Sequence, residues 1–363
     1  MKKLLWILVA VALVGWILYG NVKQQETQSN EKRTVYAVLP LSGAIAKSGQ
    51  EYQQALNVYQ KSHNTSGLNL VYVDSAFNPS QAVTALQGKI VSEDKPLVIV
   101  TGTTIALSIL DIVNNKNGFV LISGGAIPKN ASRNNFWNFS SGNGLGMIKI
   151  ADYISKKYNS VAMLYPNSDY GILTYNTVKD NLKNNVKFVF SEKFDNNVGD
   201  VRTLVQKVIK DNPESVIVTG AANPVFISIF KTLKEMDYKG EILADLTFQQ
   251  PAVFDGLQKS TDGITFLTLD GLLDNPKTKE GRQFKSEFKA ENITPSFAHV
   301  EAYNMALFLE KLAQIESIDQ SIIKGLKHMN TVAGSVSFLE NGDTLFQYEL
   351  AQVKNGKIVP VEE

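Results

Sequence analysis

Thr34-Val35-Tyr36-Ala37-Val38-Leu39-Pro40-Leu41-Ser42-Gly43 decides the fold. Its first part is a continuous β-rich apolar run. Pro40 closes that run, and small and hydroxyl residues follow as far as Gly49. Glu51–Lys61 then reads as a helix. The same strand, loop and helix order continues with a strand at Leu70–Val73 and a helix at Pro79–Ser92 that puts Ala82, Val83, Leu86 and Ile90 on one face. Pro79 stands where a first-turn proline is tolerated. Leu97–Val100 and Phe119–Ile122 are further strands, with Ile105–Asn115 helical between them. Alternating strands and helices imply parallel pairing with right-handed crossovers, hence an α/β sheet covered on both faces.

A second series of the same kind starts near Gly144. Ser160–Tyr165, Val186–Lys193, Ser215–Val218, Glu241–Leu243 and Ile264–Leu267 are its strands. Ile172–Leu182 and the stripe Val201, Leu204, Val205, Val208 and Ile209 are its helices. From Lys277 to Lys327 the chain turns mainly helical. The tail predicts strands at Ser335–Leu339, Thr344–Val353 and Lys357–Val361, joined at Asn341-Gly342 and Asn355-Gly356. Asn-Gly is a strong short hairpin signal.

The composition excludes several classes of function. The 363 residues carry a net charge of +1, with 36 basic and 35 acidic residues spread along the chain. A nucleic-acid binder needs a concentrated basic face. There are no cysteines and three histidines, His63, His299 and His328. That removes thiol nucleophiles, disulfides and thiolate metal sites, and leaves little material for a histidine triad. No cofactor is expected. Met1-Lys2-Lys3 precedes an apolar run from Leu4 to Gly20, and a polar stretch follows to Arg33. Residues 1–20 read as a membrane anchor or a cleaved signal, oriented for export, and residues 21–33 as a linker. The run is at the short end of the roughly 17–25 residues that span a bilayer.

In open α/β sheets, ligands bind beyond the carboxyl ends of the strands. The loops there are Leu41–Gly49, Thr101-Gly102-Thr103-Thr104 and Ser123-Gly124-Gly125-Ala126. Small residues let a ligand approach the backbone, and N–H groups at a helix start can hold an anionic group.

The order Val35–Gly43, Phe119–Ser123, Leu164-Tyr165 with Asp169-Tyr170-Gly171, Gly334–Phe338, Asn341-Gly342-Asp343 and Val353–Val361 resembles the leucine/isoleucine/valine-binding class of type I periplasmic substrate-binding proteins. The resemblance covers about residues 34 to 361. It implies two Rossmann-like lobes joined by a three-segment hinge, with crossings near Gly144, Asp270 and Gly334. Lobe 1 would comprise residues 34–144 and 271–334, and lobe 2 residues 145–270 and 335–363. It also implies an amino-acid-like ligand, an ABC transporter permease as partner, a monomer and an extracytoplasmic location. Its ligand positions fall on Ser48, Thr103, Thr104, Gly125 and Ala126 in the first lobe. Tyr170 and Asp245 match in the second, with Thr247 as the alternative to Asp245. The sequence departs from the pattern at Ile127, where a hydroxyl is usual, and at Ser48, where an aromatic often lines the pocket. The first departure points to a missing carboxylate contact, and the second, with Gly220-Ala221-Ala222-Asn223 equally lean in aromatics, to a larger or more polar cleft.

Three functions remain open at this stage: solute delivery, membrane-anchored sensing or scaffolding on the same fold, and α/β enzyme chemistry. The last lacks a Gly-x-Ser-x-Gly elbow, thiols and clustered histidines. No Walker-type Gly-Lys-Ser/Thr occurs. Gly142-Asn143-Gly144-Leu145-Gly146 is spaced wrongly for a dinucleotide loop and reads as the first crossing. His299 and Glu301 read as surface or packing residues of a helix.

Overall fold

The structure is a computed structural model that describes residues 32–361. Residues 44, 64–66, 126, 128–134, 143, 184, 196–197 and several between 314 and 327 are not described. The run Leu4–Gly20 thus lies outside the described residues. Among those described, no helix is long and apolar enough to cross a membrane.

The first series forms a five-stranded sheet. Its strands are β1 (Arg33–Leu39), β2 (Leu68–Asp74), β3 (Leu97–Thr101), β4 (Phe119–Ser123) and β5 (Phe136–Asn138), in the order β2-β1-β3-β4-β5. Every pairing is parallel. Helices α1 (Ala46–His63), α2 (Pro79–Lys89) and α3 (Thr103–Asn114) connect them. Val98, Ile99, Val100, Val120, Leu121 and Ile122 are fully buried, as strands covered on both faces require.

The second series continues with α4 (Met147–Lys157), β6 (Ser160–Pro166), α5 (Asp169–Asn181), β7 (Lys187–Phe194), α6 (Val201–Ile209), β8 (Ser215–Val218), α7 (Pro224–Glu235) and β9 (Glu241–Ala244). A 3-10 turn at Leu246–Gln249, α8 (Pro251–Leu257) and β10 (Ile264–Thr268) complete its parallel part. The caps are local: Asn78, Ser168, Asp200 and Asn223 each accept an N–H from the first turn of α2, α5, α6 and α7. After α9 (Lys279–Ala290) and α10 (Phe297–Ala313) come β11 (Met329–Thr331), β12 (Gly334–Phe338), β13 (Thr344–Leu345), β14 (Glu349–Lys354) and β15 (Lys357–Pro360). The second sheet runs β15-β14-β10-β9-β8-β6-β7, with β14 and β15 antiparallel.

Helix α1 begins at Ala46, ahead of the expected Glu51. Gly49 permits this, because a Cβ there would sit 2.2 Å from the Pro40 carbonyl oxygen. Gly171 does the same in the second series, where a Cβ would sit 1.9 Å from the Pro166 oxygen. In both, the helix after a proline-ended strand is pressed onto that strand's last carbonyl, which aims the connecting loop outward from the sheet edge.

Helices α9 and α10 pack on the first sheet's side. The Arg33 guanidinium donates to the carbonyls of Leu312 and Ile315 at 3.1 and 2.6 Å. Strands β11 to β13 form a small third sheet on the same side. Asn138 N donates to Gly342 O at 3.1 Å, and the Phe139 ring stacks on Phe308 and Phe338 at 4.4 and 5.8 Å. The expected single strand Thr344–Val353 is therefore two. Its middle residues, Phe346 and Tyr348, are buried where the chain leaves this sheet for the second one.

Three chain passages join the two lobes. Ser140–Gly146 is the first. The second surrounds Asp270, whose carboxylate accepts from Lys277 N, Thr278 N and Thr278 Oγ1 at 2.7–2.9 Å. In the third, the Tyr348 hydroxyl donates to the Ser141 carbonyl at 2.9 Å. Lys277 Nζ lies 3.1 Å from Glu349 and ties the second passage to the third. One hydrophobic cluster runs through both lobes, from Leu39 and Phe139 to Leu243, Leu246 and Leu267.

Candidate functional site: the facing sheet edges

On the first sheet, the carboxyl ends of β3 and β4 lie side by side in register, with Thr101 opposite Ser123. Gly102, at φ +89°, turns the chain into α3, so that Thr103 and Thr104 form its first turn. Gly125 rests against that turn. A Cβ at Gly125 would come 3.0 Å from Thr103 N, 3.1 Å from Thr103 Oγ1 and 2.9 Å from Ile122 Cδ1. Gly125→Ala is therefore expected to cost about 1–3 kcal/mol through overpacking, read as a lower denaturation midpoint with unchanged slope.

Behind this loop lies a carboxylate whose place the sequence did not reveal. Glu301, on α10, is buried and accepts from Ser140 Oγ at 2.9 Å, Ser141 N at 2.9 Å and Gly124 N at 3.1 Å. The Ser141 hydroxyl and, at 3.4 Å, the Ser123 hydroxyl also donate to it. Burial raises its proton affinity, and the serine and backbone donors oppose that rise. Glu301 thus fastens the end of β4 and the first passage to one helix. Its neighbour His299 is also buried. Its Nδ1 accepts from Ser296 N at 2.9 Å, and burial lowers its pKa to about 4, so it is neutral. Both are interior residues, which selects packing over surface for this pair.

On the second sheet, the Tyr170 hydroxyl donates to Asp245 Oδ2 at 2.8 Å. Gly171 fixes the turn that carries Tyr170, and Asp245 follows β9 directly and caps the 3-10 turn. The same carboxylate accepts from Gly220 N and Thr247 N, both at 3.1 Å. Burial pushes its pKa up to about 6, against the lowering effect of those donors and Tyr170. Thr247, the alternative position, instead donates its hydroxyl to Gly220 O at 2.7 Å. At this edge the acid is therefore Asp245, held beside Tyr170.

The sequence-derived residues form two groups, Thr103, Thr104 and Gly125 on one edge and Tyr170 and Asp245 on the other. Ser48 is exposed in the first turn of α1, and Ala126 lies outside the described residues. Ile127 is buried in the core between the first sheet and its helices α2 and α3, so it does not stand in for a hydroxyl at the cleft surface. Asp74, not foreseen, accepts from Leu41 N and Ser42 N at 2.9 and 3.1 Å and from the Ser42 hydroxyl at 2.6 Å. It holds the loop after β1 in place. The signal for it was available: an acid ending β2, next to a strand ending in a serine-glycine loop. Among the described residues, no group of three or more His, Asp and Glu is placed to hold a metal ion.

A family model described as "Periplasmic binding protein" matches residues 34–357. The chain belongs to the periplasmic binding protein family. Solved structures with the same fold include an amino acid ABC transporter substrate-binding protein from Pseudomonas fluorescens, 15% identical with a TM-score of 0.76 over 91% of this chain and 94% of that one. A leucine-binding protein, LivK, from Thermotoga maritima is 18% identical, with a TM-score of 0.74 over 91% and 98% of the two chains. The branched-chain amino acid transporter substrate-binding protein LivJ from Streptococcus pneumoniae, solved with isoleucine, is 15% identical, with a TM-score of 0.73 over 91% and 100%. This periplasmic binding protein shares with them the two-lobed α/β fold of type I.

Proposed function

We propose that this periplasmic binding protein captures an amino acid or a similar small polar molecule between its two lobes, outside the cytoplasm, and presents it to an ABC transporter permease without transforming it. The observation that carries this reading is the buried Asp245 carboxylate, held by Tyr170 at the carboxyl edge of the second sheet. Such a group can trade its tyrosine donor for a ligand ammonium at little desolvation cost, because it is already out of water. Thr103, Thr104 and Gly125 offer backbone and hydroxyl groups from the facing lobe. In this reading the lobes divide at Ser140–Gly146, around Asp270 and at Phe346–Tyr348. The last of these lies beyond the expected Gly334, because β12 and β13 pack on the first lobe. Closure of the lobes around the ligand buries both edges at once.

Native mass spectrometry of the exported part is expected to show a retained small molecule. Its addition back to stripped protein raises the melting temperature, since a ligand at a hundredfold excess over its Kd adds about 2.7 kcal/mol. A broad panel of amino acids, short peptides, amides and sugars that produces no shift defeats the reading.

A further inference from the structure

We propose that the cleft selects a ligand bearing a neutral carbonyl acceptor, of the carboxamide kind, in addition to its ammonium group, and that the Gln249 side-chain amide donates to that carbonyl. The inference rests on the solute-binding reading above and names the class of solute.

Gln249 ends the 3-10 turn that Asp245 caps, so both side chains belong to the same carboxyl edge of the second sheet. Its Oε1 accepts from Thr268 Oγ1, at the end of β10, at 2.8 Å. That contact fixes the amide plane. The other end of the amide, Nε2, is buried with no hydrogen-bond partner. An unmet buried donor is destabilising, and an incoming acceptor cancels that cost. The 3-10 turn lies against α10 of the first lobe, so this donor sits where the lobes meet rather than deep within one of them. On the facing edge, Thr101 Oγ1, one residue before Gly102, is likewise buried without a partner.

The rest of the edge is hydroxylic rather than aliphatic. Thr219 is buried at the end of β8 with its hydroxyl 3.1 Å from that of Thr174, and Thr268 is buried beside Gln249. A branched aliphatic side chain offers the Gln249 Nε2 donor nothing, and would leave it unpaired. A second carboxylate is also disfavoured as the acceptor. Asp245 and Glu301 already place two buried acids near the meeting of the lobes, and like charges in low dielectric repel. A neutral carbonyl satisfies the Gln249 donor without that repulsion.

The test is isothermal titration calorimetry of the wild type and of Gln249→Leu with L-glutamine, L-asparagine, L-leucine and L-isoleucine. The expected result is that one of the two carboxamides binds the wild type at least tenfold more tightly than either aliphatic amino acid. Gln249→Leu loses about tenfold for that carboxamide, the equivalent of 1.4 kcal/mol, and changes little for the aliphatic pair. Thr268→Val, which frees the amide from its anchor, moves affinity in the same direction and serves if Gln249→Leu fails to fold. Aliphatic ligands binding as tightly as the carboxamides, or a carboxamide affinity untouched by both variants, overturns the inference and leaves the solute-binding reading in place. Binding of some other amino acid but neither carboxamide does the same. Binding of no amino acid at all overturns the inference. The solute-binding reading falls with it only if the wider panel of peptides, amides and sugars also produces no shift.

Discussion

Glu301→Ala is expected to lower the stability of the protein by at least about 3 kcal/mol, the largest loss among the substitutions considered. The carboxylate accepts from Ser140, Ser141 and Gly124 at normal hydrogen-bond distances, inside the protein. Alanine removes the acceptor and leaves Ser140 Oγ, Ser141 N and the Ser141 hydroxyl buried without it, while Gly124 N keeps Ser140 Oγ at 2.9 Å. Each abandoned donor costs about 1–3 kcal/mol, more than the net gain from making an ordinary hydrogen bond. Water entering the gap recovers part of this, so the three losses do not simply add. Glu301→Gln keeps the size and one acceptor oxygen, and is expected to lose less than half as much. Urea titrations of the three proteins at neutral pH measure the difference. Equal midpoints for wild type and Glu301→Ala would contradict the hub described here.

The second large effect is on pH dependence, where two buried groups act in opposite directions. Asp245 has its pKa raised to about 6 by burial, above its ordinary 3.8. The stability tied to its protonated form is complete below about pH 4 and is lost as pH rises through 6. His299 has its pKa lowered by burial from 6.5 to about 4. Its contribution is complete above pH 6.5 and is lost as pH falls through 4. Between these limits the two slopes oppose each other. Asp245→Asn is expected to gain on the wild type as pH rises from 4 to 7, by about 2–3 kcal/mol across the window. His299→Gln is expected to gain on the wild type by a similar amount as pH falls from 7 to 4.5. Denaturant midpoints at four or five pH values for each protein give both curves. A difference from wild type that is flat with pH in either variant would remove the corresponding group from the account.

The strands were legible because they are apolar runs ended by Pro, Gly or a hydroxyl. Ser215–Val218 came out at its observed bounds, and β1, β3 and β6 within a residue of theirs. What escaped were elements whose cause is tertiary. Strand β5 is only three residues, Phe136–Asn138, and is a strand because it pairs with β4. Helix α7 went unread despite a clear local start, Asn223 capping and Pro224 in the first turn. The split of the expected Thr344–Val353 strand follows from Phe139 and Ser141, distant residues that receive Phe346 and Tyr348.

The candidate site divides the same way. Thr103, Gly125, Tyr170 and Asp245 stand at strand ends, the positions to which the family resemblance points. Glu301 and Gln249 belong to no motif. Glu301 matters because Ser140 and Ser141 converge on it from far away in sequence, and Gln249 because Thr268 occupies one end of its amide. Pairings of that kind are set by the fold and leave no periodic trace.

The position of β14 within the second sheet has a consequence for how the protein is made. The strand lies between β10 and β15, yet it follows β10 only after two long helices and the whole third sheet have been built. Until residues 349–354 are available, β10 presents an apolar, unpaired edge, Ile-Thr-Phe-Leu-Thr, of the sort that templates wrong pairings. A chain emerging stepwise from a ribosome or an export channel therefore carries its second sheet unfinished until almost the last segment arrives. Chains cut short before Glu349 should accumulate as aggregates rather than as a working first lobe with a loose second one.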